Sequence, residues 1–497
     1  MVMRKICWLL AMVALMGLWT TRSWAQQGNP PTGQAGSTTA SPTSPVGPSQ
    51  TPVTAASPIE GQPPASTPMP PLSGVQVLAP TFGGTSQSYM LPALACTEYA
   101  TTSPSGINRN SGLFSQTSCD GNLTLQRVGR STQLNLDVTG GGFYYNRPYE
   151  TGTKRDGTEG GLAVFERVNG RRWNWLVGDQ GTYLPEGSMG YGGGAGLSSF
   201  AGGMGGGAIA SAPALNSAFS PNQSIYGGMD RRFSDLALSE FTFVVGPRTT
   251  LTATAMFGTL QFLTPGNTDD RYWTLMGGYN RTFGRSNTFA MNYEEMHFNF
   301  GASQGGMLTR GASILYGRQV SPKLTVELSV APMAREISVP QTGATTTLPT
   351  GATTNFFIGT YDSLGYRALH WDGSLGFDRS QTGGAGVQAG VEMTMVAASL
   401  GRQLWRRVHG SLNVSYANNR AMAQSSSGGP RPTYDYVQAG ANLTHELGPH
   451  ISMYLNYYVQ RQISNTAICE GATCSTVYSR QVGGFGINWH ARPVKID

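Results

Sequence analysis

The chain has 497 residues, 39% hydrophobic and only 12% charged, where a soluble globular protein carries about 25% charge, so something other than a charged, water-facing surface holds it in place. Glycine accounts for 67 residues, about twice its ordinary share, which excludes a Leu/Glu/Lys-rich helical protein. The formal charge of +6 loses three units with the first 25 residues, because Arg4, Lys5 and Arg22 lie there without an acid, and the near-balance that remains lacks the basic stripe of a nucleic-acid binder.

Residues 1–25 read as a secretory signal peptide. Arg4 and Lys5 precede an apolar run from Ile6 to Trp19, and Ser23-Trp24-Ala25 offers a small-x-small cleavage site between Ala25 and Gln26. The run is shorter than the ~20 residues of a membrane-spanning helix. Cys7 lies inside the removed segment, away from a lipoprotein-type cleavage position. From 26 to 75 the chain is a Pro/Thr/Ser-rich linker with twelve prolines and Glu60 as its only charge, a composition that cannot bury enough apolar surface to offset the entropy of ordering. It is expected to be disordered, a semi-stiff tether. Residues 76–120 read as a small periplasmic or barrel-mouth segment. The mature chain has four cysteines; in an exported protein they favour disulfides. The short spacing of Cys469 and Cys474 suggests a local loop staple, leaving Cys96 with Cys119. No histidine stands near them, so neither a metal site nor a cofactor is expected.

From 121 to 497 the pattern has period two. Ile451, Met453, Leu455, Tyr457, Val459 and Ile463 alternate with His450, Ser452, Tyr454, Asn456, Gln460 and Gln462, and Leu324, Val326, Leu328 and Val330 with Lys323, Thr325, Glu327 and Ser329, as in strands with one apolar and one wet face. Tight-turn candidates at Gly246-Pro247-Arg248, Phe283-Gly284-Arg285, Ser321-Pro322-Lys323, Ser363-Leu364-Gly365, Trp405-Arg406-Arg407 and Gly448-Pro449-His450 have centres 37 to 43 residues apart. That interval is one strand up, a loop, one strand down and a short turn. Earlier turns at Gly129-Arg130 and Asn169-Gly170 continue the series, and a glycine loop with eleven glycines between Gly187 and Gly207 fills the wider gap. The spacing predicts strands near 132–146, 160–168, 171–178, 233–246, 249–263, 271–283, 287–300, 307–320, 323–337, 352–362, 367–380, 386–404, 407–420, 433–447, 450–463 and 476–490. The fold expected is all-β, an antiparallel up-and-down transmembrane barrel of about 16 strands, within a range of 14 to 18, because strands cross lipid only when a closed sheet pairs every backbone group.

Aromatic residues near the strand ends, Trp173, Trp175, Tyr272, Trp273, Phe298, Phe300, Trp405, Tyr457 and Trp489, suit the two membrane interfaces. On these features the segment Leu123 to Asp497 resembles the Gram-negative-type outer-membrane β-barrels, porin-like families among them. The resemblance implies residence in the cell outer membrane, contact with its lipid and insertion by the barrel assembly machinery. Its aromatic last strand, Val477 to Trp489, departs from the usual pattern by continuing to Asp497.

Chemical motifs are sparse. Gly203-Met204-Gly205-Gly206-Gly207-Ala208 formally matches a dinucleotide fingerprint but follows no apolar strand. His370 and Asp372 could form an acid/base pair on one face, although such residues more often wet a barrel interior. The alternation directs Arg281, Glu294, Glu327, His370, Asp372, Asp378, Glu392, Arg402 and Arg480 to the lumen, and both signs are present, so no single-sign selectivity ring is implied. The leading reading is a non-enzymatic, porin-like channel for small polar solutes. An export or surface-interaction barrel using the tether and the glycine loop is the alternative, with a membrane-embedded hydrolase and a secreted soluble β-protein behind it. Oligomeric state is left open.

Overall fold

Alternating side chains fit an extended backbone because successive Cβ atoms point to opposite faces, and the described residues take this conformation almost throughout. The computed structural model describes residues 88–102, 113–146, 156–184, 232–263, 268–284, 286–301, 305–338, 353–368, 370–382, 390–422, 431–448, 450–470 and 473–496. The expected signal peptide, the linker, the start of the 76–120 segment and the glycine loop lie outside these residues.

The strands are β1 Tyr89–Thr102, β2 Leu113–Val128, β3 Thr132–Tyr145, β4 Asp156–Asn169, β5 Trp173–Leu184, β6 Arg232–Gly246, β7 Thr249–Phe262, β8 Asp270–Phe283, β9 Asn287–Asn299, β10 Gly306–Ser321, β11 Leu324–Ser338, β12 Thr353–Arg367, β13 Trp371–Thr382, β14 Val391–Trp405, β15 Val408–Ala421, β16 Thr433–Glu446, β17 Ile451–Glu470, β18 Thr473–His490 and the two-residue β19 Val494–Lys495. Each of β1 to β17 pairs antiparallel with the next. The ring closes where β1 pairs β18, from Ala93↔His490 to Thr101↔Val482. β19 adds two pairs to the start of β1. Eighteen strands therefore close the barrel, not about sixteen.

The additional pair is β1 and β2, which the sequence reading had set largely in a separate 76–120 segment. Their outward positions include Pro92, Glu98, Thr117, Cys119 and Gly121, so the apolar half of the alternation is diluted. Other boundaries also shift. Ser363-Leu364-Gly365 lies inside β12, which ends at Arg367 before β13 starts at Trp371; β4 and β5 run several residues beyond their expected ends.

All connections from an even-numbered to an odd-numbered strand are short, and one end of the barrel carries them together with the start of β1 and the end of β18. At Gly284 in the β8–β9 turn the backbone has φ +66°, a conformation glycine adopts without strain. Register shifts at Val244/Gly246, Gln319/Ser321 and Gln403/Trp405 sit just before such turns, where one extra residue lets a strand reverse.

Burial is inverted relative to a soluble protein. On β17, Leu455 and Tyr457 are 43% and 49% exposed, whereas Asn456 and Gln460 between their neighbours are 3% and 0% exposed. The same inversion recurs on β15, where Leu412, Val414 and Tyr416 are exposed and Asn413, Ser415 and Asn419 buried. In water this arrangement would leave apolar surface uncovered all around the barrel, far beyond the patches tolerated by soluble monomers; against lipid it is the favourable one. Cys96 and Cys119, opposed in the β1–β2 register, form a disulfide on this outer face. Cys469 and Cys474 are likewise opposed in the backbone register at the β17–β18 hairpin.

The inner face explains part of the glycine excess. Phe143, Phe165, Tyr272, Tyr454 and Tyr99 stand directly opposite Gly157, Gly178, Gly258, Gly486 and Gly484 on the adjacent strands. Each ring occupies the space of the missing side chain: a Cβ on Gly258 would lie 2.2 Å from Tyr272 and one on Gly486 2.3 Å from Tyr454. Covering a strand glycine with a cross-strand ring recovers packing that the glycine itself forfeits.

Three substitutions check these assignments. Leu455→Arg, central in the outward run from Ile451 to Val459, should cost about 2–4 kcal/mol in lipid. Gly258→Val should cost about 1–3 kcal/mol by displacing the Tyr272 ring, whereas Gly277→Ala, with no atom within 4 Å of its Cβ position, should stay within about 0.5 kcal/mol of the parent. Denaturant titration of lipid-reconstituted variants reads all three.

Candidate functional site

The interior wall is built from the buried half of each alternation. On β2 the residues described as buried are all polar: Gln116, Ser118, Asp120, Asn122, Thr124 and Gln126. On β17 the buried half runs Asn456, Tyr458, Gln460, Gln462 and Ser464. Charges of both signs lie among them. Thr124 donates a hydrogen bond to Asp137 at 2.5 Å, Arg480 Nε donates to Thr101 at 3.0 Å, Ser380 to Asp378 at 3.0 Å and Ser363 to Glu327 at 3.4 Å. Thr97 and Tyr454 are joined by their hydroxyls across the glycines of β18. A buried polar group without such a partner would cost several kcal/mol in an apolar medium.

The residues singled out from sequence divide by face. Glu294, Glu327, Asp372, Asp378 and Arg480 stand on the buried face of their strands. Arg281 and Arg402 stand on the outward face, near strand ends, with Arg281 5.2 Å from the Phe283 ring centre and Arg402 4.4 Å from that of Trp371. An arginine close to a membrane interface can keep its head in the polar zone and lie over an aromatic ring, so alternation there does not require it to turn inward. His370 is exposed in the turn before β13, its Nδ1 3.4 Å from Gln403. Asp372 instead overlies Gly401 of β14, so the two do not meet as an acid/base pair. Glu392 shares the outward parity of Val396 and Leu400, at the start of β14.

Around Glu392 the wall itself changes. Pairing of β12 with β13 stops at Thr360↔Arg379, although β12 begins at Thr353 and β13 continues to Thr382. Beyond that point β13 and β14 meet strands that are not their neighbours. Thr309 of β10 donates a hydrogen bond to Gln381 of β13 at 2.9 Å, yet strands three places apart along a wall are separated by ~14 Å. Glu392 makes an ion pair with Arg379 at 2.6 Å and lies 4.0 Å from buried Arg335 of β11. Gly390, with φ +75°, packs so closely on Phe300 that a Cβ there would come within 3.0 Å of the ring. The end of β13 and the start of β14 thus cross the long-loop mouth toward β9, β10 and β11 and narrow it.

Sequence reasoning missed the inward charges Asp120, Asp137, Arg167, Arg232, Glu240, Asp270 and Arg335, all buried. The signal was available on β3, where Asn135 and Asp137 alternate with Leu134, Leu136 and Val138.

A closed antiparallel barrel, apolar outside and polar within, is a transmembrane β-barrel. No family model and no curated protein sequence matches the chain. Among solved structures it is similar to Pseudomonas aeruginosa OpdK with vanillate, at 9% identity and a TM-score of 0.43 over 81% of this chain and 99% of that one. It is also similar to Acinetobacter baumannii OccAB3, at 11% identity and a TM-score of 0.42 over 82% and 100%, and to Pseudomonas aeruginosa OpdL, at 12% identity and a TM-score of 0.41 over 83% and 100%.

The mouth gives a signed prediction. Glu392→Gln removes the acid facing Arg335 and Arg379 and leaves two guanidinium groups there. Under a KCl gradient the reversal potential of the variant should move toward that of chloride; an unchanged potential would place Glu392 away from the ion path.

Proposed function

We propose that this chain is an outer-membrane channel for small polar solutes. The observation that carries the reading is the inversion of burial around a closed eighteen-strand ring. A barrel of this size leaves an interior wider than the single layer of side chains that fills an eight-strand one, and here Ser, Thr, Asn and Gln with charges of both signs line it. The outer face contacts membrane lipid. Delivery follows from the signal peptide and insertion from the barrel assembly machinery, and the lumen-facing set that meets the solute is Glu294, Glu327, Asp372, Asp378 and Arg480. The site uses no catalytic residue, metal or cofactor. Cys469 and Cys474 form a second disulfide, at the β17–β18 tip on the long-loop side.

The mature protein, beginning at Gln26 and recovered from the outer-membrane fraction, should give discrete ohmic current steps in a planar lipid bilayer. Folded, inserted protein that passes no current at any voltage would contradict the channel reading; recovery from the soluble periplasm would contradict membrane residence.

A further inference from the structure

The outer face of β6 to β9 is not a smooth apolar wall, because it holds a groove of about 480 Å³. Ala253, Ala255 and Gly277 form its floor, and Phe241, Leu275 and Tyr293 rise around it. Register sets Phe241, Ala253, Gly277 and Tyr293 in one row across the four strands, so between two large rings stand only a methyl group and bare backbone. A Cβ on Gly277 would meet nothing within 4 Å, and Phe241, Leu275 and Tyr293 are 41%, 52% and 53% exposed. The space is therefore open to the membrane. Ser239, at the edge of the groove, is satisfied by Trp175, whose Nε1 donates to its hydroxyl at 3.0 Å, which leaves the floor apolar.

The next row toward the long loops ends in charge. Ala255, Leu275, Glu295 and Arg310 are successive register partners. Arg310 Nη2 donates to Glu295 Oε1 at 3.4 Å, and its Nε lies 3.4 Å from Oε2. Both residues face outward, and the arginine side chain is 54% exposed. Strands of such a barrel tilt by ~35–45°, so a row of register partners climbs along the barrel. Phe241 and Ala253 lie five and four residues from the short-turn ends of their strands, Glu295 and Arg310 four residues from the long-loop ends of theirs. One row higher, Trp273 and His297 stack with ring centres 5.8 Å apart, as amphipathic rings do at headgroup level. The groove thus begins in hydrocarbon and ends at an interfacial ion pair. A guanidinium has five donors and a carboxylate about four acceptor sites, so the pair can hold a further phosphate and a further ammonium without parting. The outward charges of β8 to β11 toward this end are Arg271 and Arg310 against Glu295 and Glu336, a balance that suits a zwitterion and opposes a polyanion. A second copy of the chain is a poor occupant, because a two-fold contact sets the same patch against itself and two grooves do not fill each other.

We propose that this groove holds one zwitterionic glycerophospholipid, an acyl chain along Ala253, Ala255 and Gly277, its phosphate on Arg310 and its ammonium on Glu295. The site rests on the membrane-facing assignment of the outer face and is independent of conduction. The test is native mass spectrometry of the detergent-solubilised mature protein titrated with phosphatidylethanolamine, with phosphatidylglycerol and lipid A as anionic comparisons. One phosphatidylethanolamine should be retained per barrel, about tenfold more tightly than either anionic lipid, the scale of one charge-assisted hydrogen bond. Gly277→Phe, which fills the groove, and Arg310→Gln should each weaken retention by about the same factor, whereas Ala441→Phe, equally outward on β16, should leave it unchanged. Equal retention of the three lipids, or retention unchanged in Gly277→Phe or in Arg310→Gln, would overturn the site. A dimer of the parent that Gly277→Phe dissolves would give the groove to a second copy and overturn it too. Arg310→Gln, at the exposed end of the groove, carries the test if the bulkier variant does not fold. A barrel that needs detergent but retains no lipid loses the site and keeps its outer face; protein that stays monodisperse without detergent loses the outer face itself.

Discussion

Inside a bilayer no water is available to a backbone N–H or C=O, so a sheet survives there only without edges. The β1–β18 seam meets that requirement. Its nine register pairs join the first described strand to the last long one, and β19 extends the join near the termini. Once the ring is closed, every side chain faces either lipid or lumen, and the period of two in the sequence becomes a division between two solvents. The exposed apolar residues and the buried polar ones are two consequences of this constraint.

The same constraint shapes the interior. Because the backbone is satisfied within the sheet, the inward side chains are left to pair among themselves, as Thr124 does with Asp137 and Arg480 with Thr101. Rings on cross-strand glycines keep the wall thin and smooth at five places. Where β13 parts from β12, the crossing is held by polar contacts, Thr309 with Gln381 and Glu392 with Arg379, and by the close approach of Gly390 to Phe300. The mouth is thus narrowed by strand ends, and its chemistry is more varied than that of the shaft below it: an ion-paired side at β11, β13 and β14, and an aromatic side at β8 and β9.

Much of this is legible in the sequence. A strong alternation such as Leu324 to Val330 locates a strand and assigns its faces, and the spacing of Gly246-Pro247 and Ser321-Pro322 locates the short turns. What escaped has identifiable causes. β1 and β2 place Cys96 and Cys119 on the outer face beside Glu98 and Thr117, which weakens the apolar half of the pattern. Ser363-Leu364-Gly365 has the composition of a turn but continues β12, since its glycine meets no requirement for positive φ. Arg281 and Arg402 are expected inward from the sequence, whereas a position near a strand end lets arginine face outward over an aromatic ring. The groove on the outer face could not be read from periodicity at all. It depends on Ala253 and Gly277, brought side by side by the register of β7 and β8.

The closure of the ring at β1 and β18 is the claim on which the strand count, the faces and the lumen all depend. Ala100 and Gly483 are direct partners across that seam, both small and both on the outer face. In a chain whose four mature cysteines are serine, Ala100→Cys with Gly483→Cys should form a disulfide on mild oxidation, because directly opposed strand residues lie within bridging distance. A cross-link within one chain, resolved by mass spectrometry, is the predicted result. Folded protein in which Gly483→Cys instead couples to a cysteine placed on β3, and never to Ala100→Cys, would show a smaller ring closed without β1 and β2 and would contradict the account.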